Sequence, residues 1–114
     1  MIIVDLEMVR GDTGEWTVTF TDNAGTLIDD PTAEYRMTAK FLETDLDPGV
    51  FSVTATQSAP GTATLVVDPS DTRSLRSIVI SLVYDIQVTE TGGRVTTIQK
   101  GNLIINPDIS ITTP

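Results

Sequence analysis

SLVYDIQVTETGGRVTTIQKGNLII, residues Ser81–Ile105, consists of two apolar, β-branched runs around the turn Glu90-Thr91-Gly92-Gly93. Tyr84, Ile86 and Val88 alternate with Asp85, Gln87 and Thr89, the period-2 pattern of a half-buried strand. Gly92-Gly93 offers the positive φ angles that a tight hairpin needs. The return strand starts at Arg94 and passes through Val95 and Ile98 to Leu103 and Ile105. Its inward phase slips: Ile98 has even parity, Leu103 and Ile105 odd. Gly101 lies between them, so a β-bulge is expected there. This hairpin should be the longest pairing in the molecule, with the other strands docked on it.

Working outward, the same period recurs. Ile2–Met8 is a short, loosely alternating apolar strand. In Glu15–Thr21, Trp16, Val18 and Phe20 face one way and threonines the other. Thr26-Leu27-Ile28 adds at most a short strand. Glu34–Phe41 puts Tyr35, Met37, Ala39 and Phe41 inward. Val50–Thr56 puts Phe51, Val53 and Ala55 inward, and Thr62–Val67 does the same with Ala63, Leu65 and Val67. Asp68-Pro69-Ser70-Asp71 reads as the start of one helical turn, with Asp68 as N-cap and Pro69 at the first helical position. About seven strands at even spacing, with Gly, Asn and Asp turns between them, predict an all-β, immunoglobulin-like antiparallel sandwich with one short helical turn. The domain spans residues 1–106, and residues 107–114 form a C-terminal arm.

The composition narrows the chemistry. The chain has 114 residues, enough for a single core, with 39% apolar and 5% aromatic residues. Sixteen acidic against seven basic residues leave a net charge of −9. That opposes nucleic acid and anionic membranes, which need clustered Lys and Arg, and favours a basic protein partner. There is no cysteine or histidine, so disulfides, thiolate chemistry and the commonest general base and metal ligand are missing. The first residues lack the basic start and long apolar run of a signal peptide, and no run reaches membrane-spanning length.

Candidate sites remain few. Arg10-Gly11-Asp12 spells an adhesion tripeptide but is also ordinary turn chemistry. Glu43, Asp45 and Asp47 form one acidic loop and Asp29-Asp30 another. Neither has the D-x-[DN]-x-[DN]-G spacing of a calcium loop. Paired carboxylates could serve a glycosidase, but Trp16, Tyr35 and Tyr84 all fall on inward phases, leaving no aromatic platform for sugar. No nucleophile–base pair and no phosphate loop is present, so the chain reads as a non-enzyme without cofactor or metal. The tail Ile109-Ser-Ile-Thr-Thr113 is a strand pattern with no partner, suited to adding to a neighbour's sheet edge. Ile109, Ile111, Asp45 and Asp47 are therefore the expected partner-binding residues.

The sequence also carries a resemblance. It opens with Arg10-Gly11-Asp12-Thr13, an alternating Thr/Val/Phe strand, and Asp22-Asn23-Ala24-Gly25. It closes with Tyr84-Asp85-Ile86-Gln87-Val88-Thr89, Gly93-Arg94-Val95, Ile98, Gly101, Leu103, Ile105 and Pro107-Asp108. In this order the chain resembles a small β-sandwich of tailed bacteriophages, similar to the N-terminal domain of baseplate upper proteins and to stand-alone virion proteins. The resemblance implies a structural virion component, assembled in the host cytoplasm, with no catalytic residues. Its partners would be other virion proteins, the major capsid protein or tail and baseplate subunits, with a homo-oligomer as a further option. Two placements compete: head decoration as a cement protein, which an acidic single-domain chain with no fibre suits and which is the expectation, and a tail or baseplate adaptor, which the resemblance suits. A calcium-dependent adhesion or carbohydrate-binding module is the reading from another class.

Overall fold

The structure, a computed structural model, describes residues 1–46, 49–76 and 78–107. The predicted hairpin is its backbone: β7 (Ile80–Thr89) and β8 (Val95–Asn106) are the two longest strands and pair antiparallel along their length. The other strands in chain order are β1 (Ile2–Ile3), β2 (Leu6–Val9), β3 (Gly14–Thr19), β4 (Glu34–Lys40), β5 (Phe51–Thr56) and β6 (Thr62–Val67). The single helix among the described residues, α1 (Pro69–Arg73), follows β6. One sheet runs β1-β8-β7-β4-β5, with β2 also on β8, and the second is the pair β3-β6. The two sheets pack into an immunoglobulin-like sandwich. Val18, Ala63, Leu65 and Val67 of the small sheet meet Tyr35, Met37, Ile86, Val88 and Leu103 of the large one.

The alternation held where a strand is covered on one face only. Tyr35, Met37, Ala39, Ala63, Leu65, Val67, Leu82, Ile86 and Val88 are all fully buried. Full burial of each large apolar side chain is worth about 1.5–3 kcal/mol. Phe41 departs from the expected phase and is 53% exposed. β4 ends at Lys40, and the Val50 N–H donates to the Ala39 carbonyl where the loop returns, so alternation no longer governs residue 41. Thr26-Leu27-Ile28 contributes a single bridge, Thr21 to Leu27, rather than a strand.

Two expectations about the hairpin are corrected in detail. Only Gly93 of the glycine pair takes a positive φ, 91°. Its N–H donates to the Glu90 carbonyl, and the Glu90 N–H donates to the Arg94 carbonyl, so the loop needs one left-handed residue, not two. The phase slip is real, but the bulge is at Ile98. Ile86 faces Gln99 and Gln87 faces Thr97, leaving Ile98 as the extra residue. Gly101 lies in regular register opposite Tyr84 and serves a different purpose. A Cβ there would collide with the Val4 carbonyl, so glycine is what lets the N-terminal segment lie against β8.

That segment makes the main departure from an all-antiparallel sandwich. β1 and β2 pair with β8 in parallel, Ile2 with Gln99 and Leu6 with Leu103. The apolar run breaks at Val4-Asp5, where the Val4 N–H donates to the Lys100 carbonyl and the Asp5 carboxylate accepts the Asn102 N–H. Among the described residues there are thus eight strands where about seven were expected. The helical turn begins as predicted, with Pro69 at its first position and the Asp71 carboxylate accepting the Asp68 N–H at 3.0 Å. The sandwich runs to Asn106. Of the arm at 107–114, only Pro107 falls within the described residues.

Candidate interaction surface

The ladder registers sort the loops to two ends. Glu34, Thr56 and Thr89 lie at one end; Lys40, Phe51 and Val83 lie towards the other. The first end gathers the 20–33 loop, the 57–61 turn and the hairpin loop. The second gathers the 10–13 turn, the 41–50 loop, α1 with the residues after it, and the point where the chain leaves β8.

At the first end, Asp30 is a staple, not a loose solvated acid. Its carboxylate accepts the Thr91 N–H at 2.9 Å and the Thr91 hydroxyl, and Thr32 also donates to it. The Thr91 hydrogen bonds hold its pKa below the ordinary carboxylate value of 3.8. Gln57 joins the same cluster: its amide nitrogen donates to Asp29, and its amide oxygen accepts the Asp30 and Gly61 N–H groups. Asp29-Asp30 therefore fixes one loop to the hairpin tip. Among the described residues no three carboxylates come together in a way that could hold a metal ion.

At the second end, Arg10-Gly11-Asp12 is a clasp. The Gly11 N–H donates to the hydroxyl of Thr72, a fully buried residue of α1, at 2.9 Å. The Arg10 guanidinium donates to the Arg73 carbonyl. The Asp12 N–H donates to the Val9 carbonyl, the turn expected from the sequence, and the tripeptide is tied to α1 besides.

The 41–46 loop at the same end presents large hydrophobic side chains to solvent. Phe41 is 53%, Leu42 63% and Leu46 88% exposed. Ile78 and Val79, just before β7, are 50% and 63% exposed. The β4–β7 register pairs Lys40 with Val83, so residues 41–46 and 78–79 share this end of the large sheet. The loop is held by its own hydrogen bonds. The Asp45 carboxylate accepts the Leu42 N–H, the Asp45 N–H donates to the Leu42 carbonyl, and the Lys40 ammonium donates to the Asp45 carbonyl at 2.9 Å. Asp45, expected to touch a partner directly, thus shapes the loop that displays its apolar neighbours. Asp47, Ile109 and Ile111 lie outside the described residues. Alternation in the sequence places Phe41 inward, where the structure exposes it, and does not single out Leu42 or Leu46. The available signal was three large hydrophobes interleaved with the acids Glu43 and Asp45.

The outer face of the large sheet is polar by contrast. The register lines up Lys100, Asp85, Thr38 and Ser52 across four strands, and Thr38 and Ser52 share a hydroxyl hydrogen bond at 3.2 Å. An open depression of about 320 Å³ lies there, lined by Met1, Lys40, Glu43, Val83, Asp85 and Lys100 among others.

No protein-family model and no curated protein matches the sequence. Among solved structures the chain is similar to the periplasmic chaperone SfaE, with a TM-score of 0.50 at 13% identity over 96% of this chain. It spans 56% of the length of that chaperone chain. At this identity the likeness establishes the immunoglobulin-like fold alone.

Proposed function

We propose that the protein is a structural component of a bacteriophage particle, a head decoration (cement) protein that stabilises the assembled shell through protein–protein contacts and its C-terminal arm. The observation that carries this reading is the second end of the sandwich. Five large hydrophobes, Phe41, Leu42, Leu46, Ile78 and Val79, stand exposed there, and the chain leaves for its arm at the same end. Large apolar side chains exposed at one end of a small, strongly acidic domain suit an assembly contact, since burying them repays association. Its loop is already folded, which lowers the ordering cost of docking. The protein would act without catalysis, cofactor or metal, on neighbouring virion subunits.

The tail or baseplate adaptor is the second reading, favoured by the resemblance of most of the chain, from the Arg10 turn to Asp108, to the N-terminal domain of baseplate upper proteins. Quantitative mass spectrometry of purified particles separates the two. Abundance comparable to the major shell protein means head decoration, and a small fixed fraction of it means tail or baseplate. Absence from the particle removes the virion reading.

A further inference from the structure

The apolar end and the departing arm are neighbours, and this relationship identifies an occupant for the patch. Ile80 pairs with Ile105 in the β7–β8 ladder, and β8 ends at Asn106. Asn106 and Pro107 therefore lie at the end of the large sheet where Ile78 and Val79 precede β7. The next residues, Asp108-Ile-Ser-Ile-Thr-Thr-Pro114, place two isoleucines at alternate positions and contain no glycine with which to turn back. Fully extended, a seven-residue segment reaches about 23 Å.

We propose that the patch formed by Phe41, Leu42, Leu46, Ile78 and Val79 accepts the segment Asp108–Pro114 of a second copy of this chain. The inference rests on the reading of the arm as a docking device and names its receptor. Donor and acceptor lie at the same end of one molecule. Two copies meeting end to end therefore exchange arms reciprocally about a two-fold axis, which closes the assembly at two instead of propagating a filament. Ile109 and Ile111 fill the apolar end, and the preformed 41–46 loop supplies Leu46, the most exposed of the large hydrophobes, as the anchor. Each copy carries a net charge of −9, so the contact forms against like-charge repulsion and tightens as salt screens it.

The test is sedimentation of the purified full chain over a concentration series at low and high salt. The expected result is a monomer–dimer equilibrium that shifts towards dimer with added salt. Leu46→Asp, at an exposed site that leaves the core intact, should weaken it about tenfold or more. Truncation after Pro107 should give a monomer. Each of these two variants alone is defective in one half of the exchange. Mixed together, the truncated chain contributes an acceptor and the Leu46→Asp chain an arm, so a heterodimer should appear that neither forms alone. A full chain that stays monomeric throughout overturns the proposal, as does a truncated chain that dimerises like the full one. Thermal melting of both variants checks that loss of dimer is not loss of fold. Particle abundance is measured separately, so the exchange can fail while the virion reading stands, or the reverse.

Discussion

The Tyr84 hydroxyl donates to the Val4 carbonyl at 2.6 Å across 80 residues of sequence, and the Gln99 amide donates to the same hydroxyl at 3.0 Å. Val4 lies at the break between β1 and β2, so this bond pins the N-terminal segment where its ladder is interrupted. Tyr84→Phe keeps the buried ring and removes the pin. The expected cost is about 1–2 kcal/mol, read as a lower urea midpoint with an unchanged slope.

Tyr84 also gives an alkaline signature. Burial, followed by the nearby Asp5 charge, raises its pKa above 10.0, against the opposing effect of the Gln99 hydrogen bond. The folded value is the higher one, so the contribution to stability is full below pH 10 and is lost as pH rises through the folded value. Tyr35 is raised in the same direction, again by burial. Tyr84→Phe should therefore shrink the alkaline loss of stability without abolishing it, in denaturation curves measured across that range.

Gly101→Ala should displace the N-terminal strands, because the added methyl meets the Val4 backbone and not a side chain that could swing away. A loss of about 2–4 kcal/mol is expected. Amide exchange should show the loss of protection concentrated in the β1–β2 segment, ahead of the β4–β7 ladder.

Thr72→Val removes the acceptor for the Gly11 N–H while filling the same buried space. It should cost about 1–2 kcal/mol, and Thr72→Ser should retain most of the clasp. Equal melting of the wild-type and Val proteins would show that the Gly11 N–H finds another partner.

Asp30 marks the acid limb. Its pKa is lowered by Thr91, so its contribution is full above pH 3.8 and is lost as pH falls through the lower folded value. Asp30→Asn should flatten the stability profile in that acid range and leave the neutral range to report only the altered hydrogen bonds. Calcium should not enter this behaviour. Melting temperature is expected to be the same in chelator and in excess calcium, and a calcium-dependent rise would restore the adhesion or carbohydrate-binding module.

The sequence displayed the strands whose faces differ in solvent exposure. Tyr35 to Ala39, Ala63 to Val67 and Tyr84 to Val88 alternate because one side meets the core and the other water. It also displayed the start of α1, since Asp68 and Pro69 act locally. It could not display the parallel pairing of β2 with β8, which depends on partners nearly a hundred positions apart and leaves no local pattern. Gly101 shows the same gap: a glycine in a strand signals either a bulge or a close approach, and only the position of Val4 decides between them. At the candidate surface, the acids of the 41–46 loop were conspicuous by charge. The exposure of Phe41 and Leu46 depends on where β4 stops, which alternation alone misplaced.

The parallel seam between β2 and β8 has a mechanical consequence. β2 runs in the same direction as β8, so the chain joins the seam at Ile2, opposite Gln99, and leaves β8 further along, at Asn106. A pull applied between the two ends of the chain lies along these strands and opposes their sliding. The ladder hydrogen bonds from Leu6 to Val9 then share the load together, rather than opening one after another as at a hairpin tip. A domain pulled from its two ends would carry tension in shear along this seam, and a force-spectroscopy trace should show one high rupture peak that Gly101→Ala lowers.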